Sequence, residues 1–110
     1  MRVKLTPGGT VTQATSKATG VTCEAMCGQI TMNNASLASA TSVAFTLTNS
    51  FIGANDTVIV SIASGATSLA YIASVQAVAA GSCSIQLRNN SGGSLGEAVV
   101  LNFSVIKNNI

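Results

Sequence analysis

Large apolar residues recur at every second position in four segments of this chain, and a period of two restricts those segments to extended structure. In Ser42–Thr48, Val43, Phe45 and Leu47 fall on one face while Ala44, Thr46 and Thr48 fall on the other. Asp56–Ile62 repeats the pattern with Val58, Val60 and Ile62, and Ser82–Arg88 does so with Cys83, Ile85 and Leu87. Near the end, Val99, Leu101, Phe103 and Val105 alternate with Val100, Asn102, Ser104 and Ile106. Each reads as a half-buried strand, and the Thr and Val content adds a matching propensity.

Weaker strand signals lie at Thr10–Thr15, Val21–Glu24 and Gly28–Met32. Leu69–Val78 is apolar enough for a strand, but its alanines leave the register open. Between these segments stand Pro7-Gly8-Gly9, Thr19-Gly20, Asn33-Asn34, Gly53-Ala54-Asn55-Asp56, Ser64-Gly65, Ala80-Gly81 and Asn89-Asn90-Ser91-Gly92-Gly93. Gly and Asn tolerate the positive φ that tight connections demand. Seven or eight short strands, separated by turn signals and without a helical stripe, predict an all-β fold. The expected form is an antiparallel β-sandwich, jelly-roll or immunoglobulin-like, over residues 10–110. Residues 1–9 stand apart as an N-terminal arm that ends at Pro7-Gly8-Gly9. That arm is either a frayed or edge-pairing terminus or a segment that reaches a neighbouring subunit. In the second case it lays Val3 and Leu5 in a groove, with Arg2 and Lys4 beside acidic groups.

The composition argues against several functions. There is no histidine, so Ser-His-Asp and Cys-His machineries are excluded. Five Lys/Arg against three Asp/Glu give a net charge of +2, too little for the basic patch a nucleic-acid partner requires. No apolar run approaches a membrane span. The basic start, Met1 to Lys4, lacks the apolar core of a signal peptide, so synthesis in the cytoplasm is expected.

Candidate chemical groups are sparse. Glu24, Asp56 and Glu97 are far apart in sequence. Asp56 is expected to close the Gly53–Asp56 turn on backbone amides rather than to pair for acid–base work. Cys23 and Cys27 are spaced C-x3-C and Cys83 sits at an inward strand position. Three thiols without histidine fall short of a structural zinc set. Reduced thiols are expected for all three, with a Cys23–Cys27 or intersubunit disulfide as the alternative and Cys83 as a small core residue. Tyr71 and three Phe make a poor stacking platform for sugars, and the patterns place Phe45 and Phe103 inside. Four N-x-[ST] sequons arise readily in so Asn-, Ser- and Thr-rich a chain. Neither a catalytic activity, a metal nor a cofactor is expected.

Only 7% of the residues are charged, whereas Ser, Thr and Ala are abundant. Small side chains lose little rotamer entropy when a surface is covered, so such faces suit repeated subunit contacts. Ala44, Ala63, Ala73 and Ala77 on candidate strands leave smooth faces, and a symmetric homo-oligomer is expected. The run Gly8–Thr22 (GGTVTQATSKATGVT) resembles a segment of small tailed-phage virion proteins. So do Gly28–Asn34, Val43–Ser50, Asp56–Val60 and Glu97–Lys107. The resemblance covers about residues 8–107 and carries strands and turns, with no catalytic signature. The Cys23/Cys27 pair departs from it. The resemblance implies a capsid decoration (cement) protein, a trimer on the surface of an expanded head that clamps the major capsid protein beneath it. Similar segments occur in phage fibre proteins, which implies the alternative of a host-recognition module binding surface glycans. In the first case the chain resides on the virion after synthesis in the host cytoplasm.

Overall fold

In the computed structural model of the protein, which describes residues 8–108 and 110, the alternating segments are strands. They are β1 (Gly9–Thr12), β2 (Val21–Thr22), β3 (Cys27–Thr31), β4 (Thr41–Thr48), β5 (Thr57–Ser64), β6 (Tyr71–Ala79), β7 (Ser82–Asn89) and β8 (Val100–Ile106). The described residues contain no helix. The strands form two four-stranded sheets packed as a β-sandwich, ordered β1-β3-β8-β5 and β2-β4-β7-β6. The arm residues Arg2, Val3, Lys4 and Leu5 lie outside the described residues.

The chain alternates between the sheets at every step but one, the β6–β7 hairpin at Ala80-Gly81. Successive strands of one sheet therefore run the same way. Where they are neighbours, as β1 with β3 and β2 with β4, they pair in parallel. Once the hairpin reverses the alternation, β7 and β8 run opposite to the strands on either side of them. All four of their pairings are antiparallel. The sandwich is antiparallel at its centre, with one short parallel pair at the edge of each sheet.

Burial follows the period of two. Phe45 and Leu47 of β4, Cys83, Ile85 and Leu87 of β7, and Leu101, Phe103 and Val105 of β8 meet between the sheets. Ile30, Val58 and Tyr71 join the same cluster. Full burial of an aliphatic side chain such as Leu47, Ile85 or Leu87 contributes about 1.5–3 kcal/mol. The pattern breaks in two places. Ile62 keeps the inward phase, opposite buried Leu101, yet is exposed at the end of the regular β5–β8 register, which shifts between Ile62 and Ser64. In β6 the register shifts between Val75 and Ala77, so Tyr71, Ala73 and Val75 face the core and Val78 resumes after a skipped position. An extra residue on an edge strand bends it and changes which face follows.

Gly28 explains how β1 comes to lie against β3. A Cβ at Gly28 would stand 2.4 Å from the carbonyl oxygen of Gly9 and 2.9 Å from Phe103 Cε2. Only glycine admits that approach.

Candidate functional site

The registers define two ends of the sandwich. Segments 13–20, 32–40, 65–70 and 90–99 meet at the upper end. Segments 23–26, 49–56 and 80–81, with residues 107 and 108, meet at the lower end. All three carboxylate side chains and all the buried polar side chains of the described residues lie in or beside these loops.

At the upper end the loops are knitted together from within. Gln13 is 2% exposed. Its Nε2 donates to the carbonyls of Lys17 and Thr19, both at 2.9 Å, while Oε1 accepts the Asn33 N–H at 3.0 Å. Segment 13–20 thus curls around one amide. Lys17 is 3% exposed, and its Nζ donates to the main-chain oxygens of Asn33 and of Glu97, the latter at 2.6 Å. Burial pulls the Lys17 pKa down, against the attraction of the Glu97 carboxylate. That carboxylate in turn accepts from the Thr67 N–H at 3.1 Å, the Thr67 hydroxyl at 2.9 Å and the Tyr71 hydroxyl at 2.8 Å. The Thr67 amide and the Tyr71 hydroxyl hold Glu97 below the usual carboxylate range. Burial, with the adjacent carboxylate, pushes the Tyr71 phenol up. Asn89, fully buried, donates through Nδ2 to the carbonyls of Leu37 (2.8 Å) and Gly93 (2.9 Å) and accepts from Ser91. Buried polar groups in a low-dielectric surround are stabilising only when their partners are present, and here they are.

The lower end is held by Asn49, Asp56 and Glu24. Asn49 is its buried amide, donating to Ala25 O at 2.5 Å and accepting the Phe51 N–H. Asp56 accepts the Gly53 N–H at 2.7 Å, closing the expected turn, and also the Asn108 N–H at 3.1 Å. Lys107 Nζ approaches Asp56 Oδ2 to 2.5 Å and donates to Phe51 O. The Lys107 ammonium, followed by the Gly53 amide, holds the Asp56 carboxyl below its ordinary value. Glu24 accepts from the hydroxyl and N–H of Ser50, which lower its pKa likewise.

These placements bear directly on the candidate chemistry. Glu97 stands at the opposite end from Glu24 and Asp56; Asp56 closes its own turn, while Glu24 and Glu97 each tie their loop to a neighbouring segment. Among the described residues, no three of Cys, Asp and Glu come together in a way that could hold a metal ion. All three cysteines are free thiols. Cys23 is buried beneath β1, where a Cβ on Gly9 would lie 2.5 Å from its Sγ, whereas Cys27 is exposed and shares the outer face of β3 with Gln29. Cys83 is buried, and burial pushes its thiol up to about 11.

The outer faces of the two sheets differ. The first presents Thr10, Gln29, Asn102 and Ser104, with Ile59 and Ile106 as exposed apolar residues. The second presents Ser42, Ala44, Thr46 and Thr48 from β4, Ser82, Ser84, Gln86 and Arg88 from β7, and Ile72, Ser74, Ala77 and Ala79 from β6. Of the four expected smooth positions, Ala44 and Ala77 are on this face, Ala73 faces the core and Ala63 sits at the β5 register shift.

Sequence reasoning missed the buried Gln13, Lys17, Asn49 and Asn89. Polar residues in turn-like segments carry no periodic signal, so nothing in the alternation distinguishes a buried one from a wet one. In comparisons with known proteins, no family model, curated protein or solved structure matches this chain.

Proposed function

We propose that the protein is a structural component of a phage virion, a capsid decoration protein that binds the major capsid protein of the expanded head as a homo-oligomer, with a trimer favoured. The observation that carries this reading is the outer face of the second sheet, which presents Ser, Thr, Ala, Gln and Ile with a single charge, Arg88. Covering such a face costs little side-chain entropy and strands no buried charge. The carboxylates support the reading as well, since each is hydrogen-bonded within or between the end loops. The phage resemblance of segments 8–107 supplies the setting.

The test is co-sedimentation of the purified protein with expanded heads and with unexpanded proheads. Selective binding to expanded heads, and greater heat sensitivity of heads lacking the protein, are expected. Binding to host cells or surface polysaccharide, with heads ignored, would replace decoration by the host-recognition role. Deleting Arg2–Leu5 is expected to weaken assembly while preserving the β-type circular dichroism. Unchanged assembly would remove the arm from the mechanism.

A further inference from the structure

Four strands lie at the sheet edges, β1 and β5 in the first sheet and β2 and β6 in the second. An edge strand presents a row of unpaired main-chain groups to any further strand, and natural sheets blunt such rows by shortness, bulges, charge or proline. β2 has two residues and β1 has four. β6 has nine, but its register shifts along the way, between Val75 and Ala77. Over its first six residues β5 has none of these devices. Thr57 to Ile62 pair with Ile106 to Leu101 of β8 in unbroken register, and the shift comes only afterwards. The six include no charge, proline or glycine, and four of them are Val or Ile. On the side away from β8, no described strand pairs with them.

The side chains show the same open flank. Ile62 keeps the inward phase opposite Leu101, which is fully buried, yet Ile62 itself is 36% exposed. Ile59 on the outer face is 49% exposed, and its diagonal neighbour Ile106, opposite Thr57, is 48% exposed. None of the strand residues on that outer face is charged. A row of main-chain donors and acceptors selects an extended strand as its occupant. The surroundings offer a foreign strand no charge to read, so selection falls to the cross-strand side-chain pairs. β5 supplies those pairs to itself.

We propose that β5 is a self-pairing edge, joined to β5 of a second copy of this chain in an antiparallel pair whose two-fold axis lies at Val60. Residues directly opposite in such a pair point to the same face, so the axis passes beside a residue and not between two. At Val60 it sets Val58 opposite Ile62 of the second copy, and Ile59 opposite Ser61 of the second copy. Ile62 thereby gains an apolar neighbour on its open flank. An axis at Ile59 would set Ile62 against the Asp56 carboxylate. One at Ser61 would set Ile59 against Ala63, inside the register shift. The contact is isologous and closes at two copies, which spares an uncharged edge from open-ended growth. Five paired residues, 58–62, span about 17 Å. Such a seam falls well short of the ~800 Å² each partner gives a standard interface, so the pair dissociates on dilution. The seam does not depend on the decoration reading, and a trimer built through other faces keeps one such edge per chain.

The experiment is sedimentation velocity on the full chain from about 10 µM to about 1 mM. The mass of the main species is expected to double across that range. Ile59→Lys and Ser61→Lys, both on the exposed outer face, are expected to move the doubling to a concentration roughly tenfold higher or more. Ile72→Lys, similarly exposed on β6, is expected to leave it in place. Circular dichroism of the β type separates lost pairing from lost folding. In a Cys27→Ser background, Val60→Cys is expected to form a disulfide between copies in air faster than Ile59→Cys does. No doubling, a doubling indifferent to both lysines, or a faster bridge at Ile59→Cys would overturn the seam. So would protection of the 57–62 amides from hydrogen exchange only when expanded heads are added, since the capsid protein would then be the occupant. Doubling without head binding removes decoration alone, and head binding without doubling removes the seam alone.

Discussion

Each end of the sandwich contains one lysine that joins loops, and the two lysines work under opposite physical conditions. Lys17 at the upper end is 3% exposed and donates to two main-chain oxygens, with the Glu97 carboxylate supplying charge at longer range. The Lys107 side chain at the lower end is 49% exposed and makes a direct ion pair with Asp56. By formal charge alone the second contact is the stronger one. By environment it is the weaker. Water screens the half-exposed Lys107 ammonium, and Asp56, its side chain 5% exposed, also accepts the Gly53 and Asn108 amides. A buried ammonium withdrawn from its acceptors leaves them unpaired. The upper end is therefore a fixed frame and the lower end a set of latches.

Lys17→Met gives the largest expected effect, a loss of about 2–4 kcal/mol in urea unfolding, because the carbonyls of Asn33 and Glu97 lose their donor. Next comes a change of opposite sign. Leu69→Asn, a residue that tolerates positive φ, is expected to raise stability by about 0.5–1 kcal/mol. Lys107→Met is expected to lower the urea midpoint much less than Lys17→Met does, because Asp56 keeps the Gly53 and Asn108 amides. A loss as large as that of Lys17→Met would erase the distinction between the ends.

The pH profile is the gentlest probe. Glu24, Asp56 and Glu97 all have lowered pKa values in the folded chain. Their stabilisation is complete above the ordinary carboxylate pKa and is lost as pH falls through the lower folded values. With no histidine to titrate, stability should be flat from about pH 5 to 8 and decline below about pH 4. A slope near neutrality in thermal unfolding would contradict this account.

The central strands were legible in the sequence and the frame was not. Phe45, Leu47, Ile85, Leu87, Leu101 and Phe103 are buried where their alternation places them, since a strand packed on one face repeats with a period of two. The Leu69–Val78 segment was not readable, because a single extra residue at its register shift changes the face and no residue type announces it. The parallel edge pairs follow from the order in which the chain changes sheets, which the hydrophobic pattern does not encode. Asp56 was readable as a turn residue because its partner Gly53 is three positions away. Lys17 was not, because its partners Asn33 and Glu97 lie 16 and 80 residues away.

The position of β8 sets a timetable for biosynthesis. It lies between β3 and β5, which share no other neighbour, so the first sheet cannot assemble until residues 100–106 have left the ribosome. The second sheet has all its strands by Asn89. During that interval Phe45, Ile85 and Leu87 face water, and residues 57–87 contain no charge to keep nascent chains apart. A translational pause before Val100 would prolong the aggregation-prone stage, and rapid completion of the last strand would end it.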